Sequence, residues 1–251
     1  MHRGEFKHLL DSFAKPGVIR EDPGFIIFAK PPGMETISLD GSPDLTSLVR
    51  DMLSAPDLAP VHRLDRDTSG AQLFARDAGA EAVLTRLFRE RKVDKTYLAL
   101  CLGVPRNRTG TINRNLSEWS GGRRPVRVMK KGGLTASTGY SVLAASEELA
   151  AGFKLSLMAF HPHQGRTHQI RVHAASLGYP ILGDDQYGDR PANRLAKSIL
   201  GIRRQALHSW RLAFPWNSGG IEAECPLPDD MRHAVETAFG MDRLRRVLER
   251  P

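Results

Sequence analysis

Cysteine is scarce in this sequence: only Cys101 and Cys225 occur among 251 residues, with no CxxC spacing. That argues against a disulfide scaffold and against the common structural zinc sites, which need several thiolates at short intervals. The two read best as small buried hydrophobes. Long apolar runs are also missing. The longest, such as FIIFA at 25–29, fall far short of the roughly 20 residues of a membrane-spanning helix. The N-terminal MHRGEFKHLL has no apolar signal segment, so a cytoplasmic chain without a membrane partner is expected. A dinucleotide fingerprint, a nucleotide-triphosphate phosphate loop, low-complexity tracts and fixed-period repeats are absent as well. Acidic residues are the minority, 28 against 36 Lys and Arg, for a net charge of +8 and a pI near 9.8.

The basic excess is clustered. RLFRERKVDK (86–95) and GGRRPVRVMKK (121–131) hold five basic residues each, and Arg203, Arg204 and an RLRR stretch near the C-terminus add more. Such clusters fit a polyanionic backbone better than a small anion, and solvated surface charge fits them too. With 41% hydrophobic residues the chain can bury a real core. No linker divides it, so one domain is expected at 21–240, flanked by an N-terminal tail (1–20) and a basic C-terminal tail (241–251).

The apolar run at 25–29 reads as a buried strand, alternation predicts strands at 95–103 and 153–161, and further strands are expected at 71–75, 134–144 and 205–214. In KTYLALCLG, Tyr97, Ala99 and Cys101 share one strand face and Thr96, Leu98 and Leu100 the other, which leaves Tyr97 facing either a cleft or the core. Ala80, Leu84, Leu87 and Phe88 recur at helical spacing and make 78–90 an amphipathic helix with a basic outer face. Further helices are predicted at 167–177, ended by Gly178 and Pro180, and at 230–239, ended by Gly240. KPPG at 30–33 turns the chain. A mostly antiparallel, strand-rich core with few helices follows, of class α+β.

Two polar segments concentrate the chemistry. HPHQGRTHQIRVH (161–173) carries four histidines, which first suggest a metal site. Spacing opposes that. His161 and His163 share a strand face, but His168 and His173 lie five apart on the predicted helix, a rotation of about 140°. Acidic or thiolate ligands are missing nearby, while Arg166 and Arg171 bring fixed positive charge. A turn at Gly165 leading into a helix, with Arg166, His168 and Arg171 as donors, is instead an anion site. A capped surface helix is the bland alternative. In VHRLDRDTSG (61–70), Asp65 stands between Arg63 and Arg66. A carboxylate beside guanidinium favours its charged form and suits a nucleophile rather than a general acid. A tight turn is expected at Thr68, Ser69 and Gly70, and a surface salt-bridge ladder would explain the charges equally well.

HRLDRDTSG resembles the HRLDxxTSG motif of the RluA-type pseudouridine synthases, which isomerise uridine within RNA. KPPG (30–33), KTYLAL (95–100), GRTHQIRVH (165–173), PILGDDQYG (180–188) and ALHSWRLAFP (206–215) resemble further segments of that family, in its order, over about residues 20–240. The sister RsuA-type enzymes carry a glycine for the first histidine of the HRLD motif and an Arg-rich segment in place of GRTHQIR, so the RluA type is preferred. Gln164 stands where the family usually has threonine, and His163 where it usually has an aliphatic residue.

The resemblance implies a pseudouridine synthase fold, a mixed and mostly antiparallel sheet flanked by helices and loops. It implies that Asp65 is the catalytic aspartate, that Tyr97 lies over the base as proton-transfer residue and that Arg171 pairs with Asp65. Arg63 would fill the gap left in the RNA stack, and His62 would support the loop. RNA contacts are then expected from His62, Arg63, Arg66, Arg166 and His168, and from Arg89, Lys92, Lys95, Arg123, Arg124 and Lys130 of the basic clusters. Breaking the N1–C1′ bond and joining C5 to the same carbon oxidises nothing, so no cofactor and no metal is expected. RNA is the expected partner of a monomer, ribosomal RNA ahead of tRNA because PILGDDQYGD looks closest to rRNA-modifying members. The short N-terminal segment is expected to leave no room for an S4-type domain. Two rival functions are a non-catalytic RNA-binding module and a histidine-based metal-dependent hydrolase or deaminase, although the HxE and PCxxC deaminase pattern is absent.

Overall fold

The computed structural model describes residues 17–120, 125–146 and 152–240. The predicted tails thus fall largely outside the described residues, as do Arg123 and Arg124. The chain divides into two compact units, Met1–Lys95 with His208–Pro228 and Thr96–Leu207 with Asp229–Pro251.

The apolar run at 25–29 explains the first unit. A strand reads as a continuous hydrophobic run when both its faces are buried, and here both are. Strand β1 (Val18–Glu21) pairs with β2 (Phe25–Lys30), which pairs with β4 (Ser69–Ala75), which pairs in turn with β9 (Leu207–Trp216). Short β3 (Ala59–Pro60) lies beside β4, and β10 (Gly219–Glu224) beside β9. Phe25 and Ile27 pack with Leu73, Leu84, Leu87 and Phe214 on one face. Ile26 and Phe28 pack with Phe74, Leu45, Val49 and Leu58 on the other. Each such side chain contributes roughly 1.5–3 kcal/mol when fully buried.

Helix α1 (Leu45–Leu53) covers one face, its N-terminus capped by the Asp44 carboxylate accepting from the Ser47 N–H. Helix α2 (Ala78–Arg89) covers the other, capped by Asp77. Both caps satisfy amides that would otherwise lack a partner.

All pairings in the first unit are antiparallel except β4 with β9, which run parallel through Ser69–His208 and Gly70–Ser209. The approach is close. Gly70 has φ +117°, and a Cβ there would lie 2.2 Å from the Ser209 carbonyl oxygen. The tight turn expected at 68–70 is therefore displaced: Thr68 N–H bonds to Asp65 C=O, and Ser69 and Gly70 already belong to β4.

In the second unit the strand order is β5 (Asp94–Leu102), β8 (Leu155–Pro162), β7 (Ser137–Ala145) and β6 (Thr109–Asn113), all antiparallel. Burial alternates strictly along β7, as a strand with one covered face requires. Helices α3 (Gln169–Leu177), α4 (Arg190–Ile199) and α5 (Asp229–Phe239) complete it, with Gly178 ending α3 in the left-handed conformation. Cys101 and Cys225 are fully buried, and burial pushes the Cys225 thiol up to about 12. The class is α+β.

Candidate active site

The loop that carries HRLD is held by its backbone. Lys30, 1% exposed, donates from Nζ to the carbonyls of Pro31 (3.0 Å), Arg66 (2.8 Å) and Thr68 (2.8 Å). Leu64 N–H donates to Thr36 Oγ1 at 3.2 Å. Gly33 N–H donates to Arg66 C=O at 2.9 Å, and Arg66 Nε returns a bond to Gly33 C=O at 3.2 Å. The KPPG turn and the loop are thereby laced together. Behind Thr68, Ser69 Oγ meets His208 Nδ1 at 3.0 Å, and His208 Nε2 lies 3.0 Å from Cys225 C=O. With Nε2–H directed at that carbonyl, Nδ1 accepts from the serine hydroxyl.

His62 closes the other end. Leu73 N–H donates to its Nε2 at 3.0 Å, Gln72 Nε2 donates to its carbonyl at 2.6 Å, and its ring stacks on Phe88 at 4.8 Å. Burial, and secondarily the Lys95 cation, hold the imidazole down to about 3. His62 is thus neutral and accepts a hydrogen bond, a structural part of the loop. Positions 62, 64, 66 and 68 bear these backbone attachments. Between them Arg63 is exposed and Asp65 and Asp67 are half-buried.

The GRTHQIRVH segment is held by side chains. Arg171, at the buried start of α3, forms a bidentate pair with Asp184, Nε to Oδ2 at 2.7 Å and Nη2 to Oδ1 at 2.9 Å. Its guanidinium carbon lies 5.1 Å from the Tyr187 ring centre. Burial alone would raise the Asp184 pKa, but the bonds and charge of Arg171, with the N–H groups of Tyr187 and Gln186, more than offset it and lower it. Tyr187 Oη accepts from Val126 N–H at 3.0 Å and lies 2.9 Å from His168 Nδ1.

The four histidines are spread over separate duties. His161 lies on β8 with Nδ1 3.2 Å from Thr96 Oγ1, and His163, exposed like His161, follows directly after the strand's last residue, Pro162. His168 precedes α3 in a left-handed conformation, φ +57°, instead of lying within the helix. His173 is fully buried between Thr138 Oγ1 (2.8 Å) and Arg114 C=O (2.9 Å). Burial lowers its pKa, aided by the Arg114 charge and opposed by the bond to the Arg114 carbonyl. Among the described residues no three His, Cys, Asp or Glu side chains are grouped as a metal would need.

The segment's unusual pair also finds its structural reason. Gln164 is buried and its Oε1 accepts from Ser137 N–H at 2.7 Å, while His163 N–H donates to Ser137 C=O at 3.0 Å. Together they pin the turn to the start of β7. Gln169 adds bonds from Nε2 to Ser137 C=O and Thr138 Oγ1 and accepts Arg166 N–H on Oε1.

Tyr97 is buried on β5, opposite Phe160 of β8. Arg63, Arg66, Arg89, Lys92, Lys130 and Arg166 are exposed, Lys92 in an ion pair with Glu90 at 2.8 Å. Lys95 is half-buried; burial draws its ammonium down to about 8, against the opposing charge of Asp94. Arg123 and Arg124 lie outside the described residues. Lys30, Asp184 and Tyr187 were not singled out from the sequence, although KPPG and PILGDDQYG carry them. Their signal was a charged or aromatic residue within a segment already marked as family-like.

The family model for RNA pseudouridylate synthases matches residues 24–176. The chain is 32% identical over 250 residues to an uncharacterized RNA pseudouridine synthase, YhcT, of Bacillus subtilis, covering 95% of this chain and 78% of that one. It is 35% identical to ribosomal large subunit pseudouridine synthase D of Nitrosomonas europaea, over 85% of this chain and 62% of the relative. A mycobacterial relative at 40% identity is spanned over 56% of its length. Among solved structures, human RNA pseudouridylate synthase domain containing 4 superposes with a TM-score of 0.73 at 25% identity, over 94% of this chain and 98% of that one.

Proposed function

Because the chain belongs to the RNA pseudouridylate synthase family, of the RluA type, we propose that it isomerises uridine to pseudouridine in structured RNA of the cytoplasm. Large-subunit (23S) ribosomal RNA is the substrate we favour, with tRNA as the alternative. A relative named as a large-subunit enzyme supports that order. The observation that carries the reading is the HRLD loop. Its backbone is captured at four alternate positions, while the three residues between them, Arg63, Asp65 and Asp67, remain at least partly open.

A preorganised carboxylate is what the reaction asks for, since no cofactor supplies the chemistry. Three routes are open to Asp65: attack on C1′, addition to C6, or promotion of proton loss from C2′. Tyr97, fixed in a strand, would exchange a proton with base or sugar from within about 3 Å. Arg171, held still by Asp184, would set the charge of the reacting aspartate. The target uridine must leave its stack to be reached, at a cost of a few kcal/mol offset by phosphate contacts and stacking. Exposed Arg63, Arg66, Arg89, Lys92, Lys130 and Arg166 are suited to those contacts, and the affinity should fall steeply with salt.

The test is tritium release from RNA labelled at C5 of uridine. Asp65→Ala and Asp65→Asn should both abolish release while RNA binding persists; release that survives either substitution would overturn the assignment. Mapping pseudouridines in total RNA of a strain lacking the gene decides between ribosomal and transfer RNA.

A further inference from the structure

Helix α4 gathers cations that the linear sequence scatters. At about 100° of rotation per residue, Arg190, Arg194 and Lys197 fall within about 60° of one another around its axis. All three are exposed. The opposite side turns inward, where Ala192, Leu195 and Ala196 line a small apolar cavity with Leu102, Leu155 and Leu182. No Asp or Glu occurs from 190 to 221. Among the described residues none of the three cations is in an ion pair, whereas Arg204 donates twice to Asp230, at 2.8 and 3.0 Å. The result is a stripe of positive charge about 10 Å long.

Three kinds of anionic surface could meet such a stripe, and two of them fit poorly. A membrane would need the helix's apolar face free to enter the headgroup region, and that face is packed inside the unit. A protein partner would need an apolar or aromatic centre to the patch, and the residues beside the cations on the helix are Asn193 and Ser198. A phosphate backbone needs only spaced cations, and about 10 Å spans roughly three phosphates of one strand.

We propose that α4 grips the backbone of the RNA flanking the target uridine, with Arg190, Arg194 and Lys197 on neighbouring phosphates and no reading of sequence. This rests on the reading that the chain acts on RNA, and it adds a contact surface to those already named. The helix is clamped to the segment that anchors Arg171. Gly183 N–H donates to Asn193 Oδ1 at 2.7 Å, Asn193 Nδ2 donates to Asp184 C=O at 2.9 Å, and Asp184 holds Arg171 through both carboxylate oxygens. Asp189 caps the helix, accepting from Ala192 N–H at 2.8 Å. The turn between them is tight, since a Cβ on Gly188 would lie 2.2 Å from the Asp184 carbonyl oxygen. Phosphates seated on α4 are thereby held at a set distance from Arg171 without touching the reacting atoms, so the stripe governs binding rather than turnover.

The experiment uses the full chain, an RNA hairpin for binding and RNA tritiated at C5 of uridine for turnover. Arg194→Gln with Lys197→Gln removes two charges from exposed positions and keeps good helix formers there. It should make the salt dependence of hairpin binding shallower by a slope of about 1.4–1.8 and weaken binding about tenfold. KM should rise by a similar factor with kcat within about twofold of wild type. Arg194→Lys, which keeps the charge, should bind within about threefold of wild type. Arg106→Gln with Lys154→Gln removes two exposed cations elsewhere in the unit and should leave the slope as in wild type. A wild-type slope in the Arg194 and Lys197 variant overturns the proposal. So does an equal change in the Arg106 and Lys154 variant, which would make net charge the cause, and so does a fall in kcat at unchanged KM. Lost binding to phosphatidylserine vesicles with hairpin affinity intact overturns it too, making α4 a lipid contact. If the Arg194 and Lys197 variant binds as wild type while Asp65→Ala abolishes tritium release, the stripe falls and the proposed activity stands. If that variant binds weakly while Asp65→Ala remains active, the stripe stands and the catalytic assignment falls.

Discussion

The HRLD loop and the GRTHQIRVH segment both hold charged residues still, and they do so by opposite means. In the loop, the buried Lys30 ammonium captures main-chain carbonyls and the Thr36 hydroxyl oxygen accepts a main-chain amide, so the main chain itself is what these groups hold. In the segment, Arg171 itself is the anchor, locked by a carboxylate that is 1% exposed. Structural and proposed chemical duties are thus separated in one place and combined in a single side chain in the other. Backbone capture should respond most to steric insult and loss of donors, and the ion pair most to removal of one partner.

The largest effect is expected from Gly70→Val. A side chain at φ +117° and 2.2 Å from a main-chain oxygen forces β4 from β9 and should cost on the order of 4 kcal/mol or more. Urea unfolding measures it; a midpoint within error of wild type would show that the close approach is dispensable. Lys30→Met comes next. It leaves three carbonyls without their donor, at about 1 kcal/mol or more each and so roughly 3–4 kcal/mol together, and isomerase activity should fall with it. If stability drops by less than about 1 kcal/mol, the loop is not held from beneath in this way.

Asp184→Asn tests the other region. Removing one partner of a buried pair strands the other and should cost about 3 kcal/mol. Replacing both, as Arg171→Met with Asp184→Leu, should recover most of that stability without recovering activity. A double variant as unstable as the single would mean the pair contributes more than mutual compensation.

Acid gives the most graded test. His62 has its pKa held down to about 3 from 6.5. Above pH 6.5 it is neutral folded or unfolded and has no effect. As pH falls from 6.5 towards 3 only the unfolded chain takes the proton, so stability drops by about 1.4 kcal/mol per pH unit. His173, also lowered, acts in the same direction in the second unit. Asp184 is lowered from 3.8, so its contribution is present above 3.8 and is lost only as pH falls below it. His62→Gln should make the slope between pH 6 and 4 shallower by about one proton; an unchanged slope would show that His62 already titrates normally.

Much of the architecture was legible because burial writes a period into the sequence. FIIFA, KTYLALCLG and the 78–90 helix were read within a residue or two of their observed limits. Helix α4 was not, because it buries mainly Ala192 and Ala196, too small to stand out against Arg190, Arg194 and Lys197. Strands β6 and β10 escaped for a similar reason: TGTIN buries only Ile112, and GGIEAE only Ala223. Helix α1 was missed although Asp44 caps it and Leu45, Thr46 and Val49 are buried.

For the site, the sequence by itself determined the family and which segments carry its likeness, since a charged cluster such as HRLDRD is visible wherever it falls and its likeness to a family needs only order and spacing. Only the tertiary structure decided what holds each segment. Lys30 meets Arg66 and Thr68 across 36 and 38 residues, Arg171 meets Asp184 across 13, and Gln164 meets Ser137 across 27. A hydrogen bond requires atoms within about 3 Å, and the chain alone does not say which distant carbonyl or carboxylate folding will bring that close.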